Sequence, residues 1–251
     1  MASIKITVVN FSTVLVDNQI SAAVPALQKQ IRRDFAPVWG VDADLTFVPK
    51  GSTPPADAWW LAIVDDPDIA DALGYHDITP EGLPMAKVFA AVDQQLGLQW
   101  TVTASHELLE MLVDPDVNLS AFVQTGGNSG TFYSYEVCDP CEEDGQGYQI
   151  DGVQVSDFVY PAWFEGFRAA RSTIFDYGRH IEEPFQILPG GYSLIFDIPS
   201  GMGWYQIGVA AEAGSGSRRF RPAVGSRRER RMRPRQQWLR SDPNAARLTG
   251  R

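Results

Sequence analysis

The chain has 251 residues, of which 44% are hydrophobic, 11% aromatic and 21% charged. That is enough to bury one sizeable core or two small ones, and it excludes a disordered or fibrous chain. No run approaches the roughly 18 apolar residues of a membrane span, and the opening MASIKITVVNF has no basic segment leading into an apolar signal core. The expectation is a soluble protein made without export and without a membrane partner. Two cysteines, Cys138 and Cys141, are too few for a disulfide scaffold.

The net charge of −10 is divided unevenly: residues 1–213 hold 9 Lys+Arg against 29 Asp+Glu, whereas 214–251 hold 12 Arg against 2 acids. An acidic body of this kind repels nucleic acid and favours divalent cations; an arginine-only tail is drawn to phosphate or to an acidic protein surface. The tail opens with Gly214-Ser215-Gly216-Ser217 and is poor in aliphatic residues, so on its own it is expected to be disordered.

In chain order, the alternating, β-branched run Ile4 to Val9 predicts a strand. A helix capped by Asp17 or Asn18 should follow, because Ile20, Val24, Leu27, Ile31 and Phe35 share one face, with Pro25 tolerable only near its first turn. Leu45 to Val48 and Trp59 to Val64 read as a second and a third strand, followed by a long loop with Gly74, Pro80, Gly82 and Pro84. Met85 to Val92 reads as a fourth strand at the sheet edge. Thr101 to Val113 reads as a helix ended by Asp114-Pro115. Beyond residue 120 the chain is turn-rich, with strands expected at Thr131 to Val137, Gln186 to Leu188, Tyr192 to Ile198 and Trp204 to Val209, and a hairpin at Tyr148 to Val155.

One constellation carries specific chemistry: His106-Glu107-Leu108-Leu109-Glu110 within the second helix. Positions 106 and 110 lie one turn apart on the same face, so an imidazole and a carboxylate can reach one cation, with Glu107 beside it to accept a proton from metal-bound water. The competing explanation is an amphipathic helix whose Thr103, His106, Glu107, Glu110 and Asp114 form a solvated stripe. The apolar residues Val102, Ala104, Leu108, Leu109, Met111, Leu112 and Val113 leave that stripe narrow, so the acids should face a cleft where they repel one another unless a cation or protons intervene.

The motif and the order of elements before it resemble a zincin-type metallopeptidase domain, over about the first 120 residues. The run TASHELLEMLVDP…YEVCDP is also similar to uncharacterised proteins of bacteria and their phages. The resemblance implies an α+β fold with a zincin-like mixed sheet, a backing helix and a metal-binding helix at residues 1–120. A β-rich continuation of the same globule would fill 121–213, and the basic tail 214–251. It further implies His106 as metal ligand, Glu107 as general base and Glu110 in the second ligand position, where a zincin carries histidine. A carboxylate there makes the metal a weaker Lewis acid and the site more tolerant of Ca²⁺ or Mn²⁺ beside Zn²⁺.

For the third ligand, Asp116 has the metzincin spacing, Asp114 continues the 106/110 row, and Glu136 corresponds to the distant glutamate of gluzincins; Asp116 and Glu136 are favoured. Met202 resembles a Met-turn residue but reads as packing, and Tyr133, Tyr135 and Tyr148 read as core or rim residues. Cys138-Asp139-Pro140-Cys141 reads as a turn with two free or locally bridged thiols. His76 and His180 read as structural or exposed, His180 being the better placed to serve a cleft.

Two functions are therefore expected to compete. One is a metal-dependent hydrolase acting on a peptide or protein substrate that adds to the edge strand near residues 85–92. The other is a non-catalytic virion or particle component in which the metal is a staple and the tail docks on a neighbouring subunit or on nucleic acid. The corresponding locations are the cytoplasm, or a phage particle assembled there.

Overall fold

The computed structural model describes residues 3–67, 72–79 and 81–209; the arginine-rich segment 214–251, with the partner contacts expected of it, lies outside the described residues. The first alternating run forms β1 (Ile4–Asn10), followed by helix α1 (Asp17–Lys29). The backbone N–H of Val16 donates to Gln19 Oε1 at 2.9 Å, which closes the entry of α1. Pro25 stands inside this helix, not in its first turn. The cost of its missing N–H is met by the buried face of Ile20, Ala23, Ala26 and Leu27.

The helix then widens into a π-helical turn, Gln30–Phe35, and ends in α2 (Ala36–Trp39) at Gly40. The wider turn sends two buried polar side chains towards the second half of the chain. Gln30 Nε2 donates to the Ser156 carbonyl at 2.9 Å, and Asp34 accepts from the Tyr148 hydroxyl at 2.9 Å.

β2 (Ala43–Val48) and β3 (Trp59–Val64) flank β1, both parallel to it. β4 (Gly74–Ile78) and β5 (Pro84–Phe89) complete a five-stranded mixed sheet in the order β2-β1-β3-β5-β4. β5 pairs parallel with β3 and antiparallel with β4. The strand expected at the edge is thus an inner one, and the edge on that side of the sheet is β4, inside the stretch that reads as loop. Residues 90–92 begin helix α3 (Ala90–Leu96) instead of extending the strand.

Helix α4 (Trp100–Val113) packs against β3, β4 and β5. Every residue from Thr101 to Leu112 is buried, because the second half of the chain covers the helix from the other side. The chain continues into β6 (Ser120–Gly126) and β7 (Ser129–Ser134), then a short hairpin of β8 (Tyr148–Ile150) and β9 (Val153–Val155), the latter touching both α1 and α4. Thr101 Oγ1 donates to the Gln154 carbonyl at 2.7 Å, and Ser105 Oγ accepts from Ser156 N–H at 2.6 Å.

β10 (Tyr192–Asp197) and β11 (Trp204–Gly208) close a second, antiparallel sheet in the order β11-β10-β7-β6. Gln186 to Leu188 form no strand, and Tyr135 to Val137 leave β7 early. One apolar core runs through both parts, from Ile6 and Leu27 through Leu108 to Phe158, Trp163 and Phe175. The fold is mixed α+β with a β-rich second part. No helix among the described residues is long and apolar enough to cross a membrane.

Candidate metal centre

The solvated-stripe account of α4 fails on burial: His106, Glu107 and Glu110 are exposed by only 8%, 7% and 3%. Three other segments close over that face. β4 brings His76, the chain leaving β7 brings Glu136, and the 3₁₀ turn Asp139–Cys141 brings Asp139. β4 approaches α4 so closely that a Cβ at Gly74 would stand 2.9 Å from both Glu107 Cγ and Thr103 Cγ2, so glycine is required there.

His106 Nε2 lies 3.3 Å from Glu110 Oε2 and 3.3 Å from Asp139 Oδ1. Metal–donor bonds of about 2.0–2.1 Å in a tetrahedron put the donors about 3.3–3.4 Å apart, so the two separations from His106 Nε2 match coordination edges, and all three atoms lie within 4.8 Å of one another. A second triangle adjoins it: His76, Glu110 and Glu136 also offer ligand atoms within 4.8 Å of one another. Glu110 Oε2 is common to both, at 3.7 Å from His76 Nδ1, while His76 Nε2 faces Glu136 Oε2 at 3.7 Å. Glu107 Oε2 sits 3.3 Å from His76 Nδ1.

The other oxygen of Glu110 fixes the geometry. Oε1 accepts from the backbone N–H groups of Cys138 (3.1 Å) and Asp139 (3.3 Å), which ties α4 to the Cys-Asp-Pro-Cys turn and leaves Oε2 turned towards the histidines. The two cysteines beside Asp139 are buried free thiols, raised well above their ordinary range by burial. For His106, burial pulls the imidazole down, but the Glu110 carboxylate and the bond to Asp139 overcome it and hold it well above its ordinary value. Burial pushes the Glu110 carboxyl well up; His106 opposes this, and Asp139 and Glu136 reinforce it.

Of the residues expected to form the site, His106, Glu107, Glu110 and Glu136 come together. Asp116 does not: it is exposed in the turn after α4 and belongs to no potential ligand group among the described residues. The cause is Asp114, whose carboxylate accepts from the N–H groups of Asn118 (2.8 Å) and Leu119 (3.2 Å) and so caps a turn that leads into β6. Asp114 is used in that cap. His76, read as structural or exposed, is buried among the carboxylates, and Asp139 takes the third place in the His106 triangle. Met202 is 66% exposed.

The donor set fits a divalent cation: imidazole nitrogens and carboxylates, preorganised by backbone hydrogen bonds. No family model matches the chain, and no curated protein or solved structure matches it.

Proposed function

We propose that the protein is a divalent-cation-dependent hydrolase of the zinc-peptidase kind, with His106, Glu110 and Asp139 as its metal ligands and Glu107 as its general base. The observation that carries this reading is the group of three donor atoms in which His106 Nε2 lies 3.3 Å from both Glu110 Oε2 and Asp139 Oδ1, with the Glu107 carboxylate next to His106 in the chain. A cation of the zinc class, when bound, supplies a Lewis acid and a water of lowered pKa. Glu107 Oε2 is the proton acceptor, and His76 at 3.3 Å orients that carboxylate. Glu136 completes the polar wall beside it. β4 is an edge strand of the sheet and carries His76 into the site, so an extended peptide laid along β4 would run past Glu107.

The test is Glu107→Gln in the full chain, with metal content and peptide hydrolysis measured together. Retained metal with hydrolysis reduced by about 10²–10⁴-fold is expected from loss of a general base. Unchanged hydrolysis in that variant removes Glu107 from the mechanism.

Burial favours a second reading, a metal staple in a structural component. His106, Glu110 and Asp139 are all 8% exposed or less, and Glu110 binds α4 to the 138–141 turn. On this reading the metal raises the melting temperature, the wild type cleaves no peptide, and residues 214–251 supply the contact with a neighbouring subunit or nucleic acid.

A further inference from the structure

The chain has three histidines; two lie in the centre under α4, and the third, His180, stands over a separate pair of acids, Asp157 and Asp176. Both carboxylates are fully buried, with side-chain exposure of 0%. Each is held by backbone N–H groups. Asp157 Oδ1 accepts from Gly178 at 3.0 Å, Asp176 Oδ2 from His180 at 2.8 Å, and Asp176 Oδ1 from Ile181 at 2.9 Å. One oxygen remains: Asp157 Oδ2 is buried and receives no hydrogen bond from an N–H or hydroxyl donor among the described residues, with the Asp176 carboxylate as its neighbour. It points at His180 Nδ1, 3.8 Å away, and that nitrogen is also 3.8 Å from Asp176 Oδ2.

The backbone is bent to create this meeting. Arg179 adopts φ 61°, a left-handed conformation that turns the chain back so that His180 lies over Asp157. At Gly178 a Cβ would stand 2.7 Å from both Asp157 Oδ2 and the His180 ring, so only glycine leaves room for the two to face each other. A buried carboxylate oxygen without a donor, beside a second buried carboxylate, is costly unless a cation or a proton sits there.

We propose that Asp157, Asp176 and His180 form a second divalent-cation site, independent of the centre under α4, that takes a metal of the zinc class. Imidazole beside two carboxylates suits zinc or manganese over calcium or magnesium, which take oxygen donors. The 3.8 Å separations need contraction by only about half an ångström to reach a zinc coordination edge. His180, whose side chain is 46% exposed, is the group free to make that movement, and it leaves the remaining coordination positions open to solvent. The metal would pin the 176–181 loop to the segment containing Val159, which pairs with Asp176 and hydrogen-bonds Val137, next to the Cys138 turn of the first centre. Burial and the neighbouring Asp176 push the Asp157 carboxyl well above the usual carboxylate range.

The test uses the full chain labelled with ¹⁵N-histidine, in which three imidazoles give three separable signals, titrated with Zn²⁺ as wild type and as Glu110→Gln. The proposal expects the His180 Nδ1 resonance to move in both proteins, while the His106 response is confined to the wild type. His180→Ala and Asp157→Asn should each weaken Zn²⁺ binding in the Glu110→Gln background by more than about 100-fold, beyond the loss of a merely supporting hydrogen bond. His180 is half-exposed, so its replacement by alanine leaves the fold intact. A His180 signal indifferent to Zn²⁺, or equal affinity in the His180→Ala chain, overturns the proposal and leaves a shared proton between the two acids. Loss of the His106 response alone would sink the first centre and not this one.

Discussion

Glu110 has two duties, and two substitutions separate them. Its Oε2 faces His106 and His76, whereas its Oε1 accepts two buried backbone N–H groups, those of Cys138 and Asp139. Glu110→Ala deprives both N–H groups of their acceptor. At about 1–3 kcal/mol for each buried donor left unsatisfied, the variant should lose about 2–6 kcal/mol of stability, before any cost of the void. Glu110→Gln keeps the Oε1 acceptor and replaces Oε2 by an amide nitrogen with no lone pair for a metal. Burial pushes the Glu110 carboxyl well above its usual range, so the neutral glutamine resembles the form that burial favours. Its stability should lie within about 1–2 kcal/mol of the metal-free wild type. The assay is urea unfolding of the three metal-free proteins beside their Zn²⁺ content after loading and dialysis. Both variants should fail to retain metal at this centre, and only the alanine form should lose stability. A glutamine variant that retains metal on the His106 side would show that Oε2 is not a ligand. An alanine variant as stable as wild type would refute the anchoring of the 138–141 turn.

Metal affinity at the same centre should rise with pH. The carboxylates around His106 hold its proton well above the ordinary range in the metal-free protein, and that proton must leave for metal to bind, at a cost of about tenfold in affinity per pH unit. A competition titration against a chromophoric chelator should therefore show about tenfold loss per unit on acidification, and a flat profile contradicts the ligand assignment. Asp93, fully buried and bonded to Thr103 Oγ1 at 3.0 Å, is pushed up to about 7 by burial. Its folded form binds a proton that the unfolded chain has released, so its contribution to stability falls as pH rises from about 4 to about 7 and is constant above. Asp93→Asn, which preserves the Thr103 bond, should thus be more stable than wild type at pH 8 by up to about 4 kcal/mol and nearly equal at pH 4 in urea melts; a constant difference would refute the assignment. Cys138 and Cys141, buried with raised thiols, should resist a disulfide reagent at pH 8 until the chain is unfolded, and rapid reaction of the native protein would contradict their placement.

Helix α4 was legible because its polar positions repeat at the helical period within an otherwise apolar run, so the period and the narrowness of the stripe could both be read. What lies opposite that stripe could not. β4 is five residues long and opens with a glycine, and glycine ordinarily signals a turn; here it marks the close approach of strand to helix. His76 reaches the site through that strand, 30 positions before His106, and no local pattern connects the two. Asp139 was hidden for another reason. Cys-Asp-Pro-Cys reads as a turn, and only the two N–H groups donated to Glu110 make it the frame of a ligand. Asp116 was misleading because spacing alone measures reach along the chain, whereas direction is set by the Asp114 cap and by Val117 at φ 62°.

Two imidazoles and four carboxylates from four chain segments meet at the centre under α4, and none of the six side chains is more than 12% exposed. A fold stabilised by only a few kcal/mol cannot keep four buried anions together by apolar packing, since each uncompensated charge costs several kcal/mol. Positive charge must be present, as protons or as metal. Protons alone would neutralise the acids but would not require His106 Nε2 to stand 3.3 Å from oxygens of both Glu110 and Asp139, the latter on a separate segment. The convergence has its own cost, seen in Gly74 and in an edge strand brought against a helix. That cost is explained if a cation with defined coordination geometry is held between these donors, as the proposed function requires.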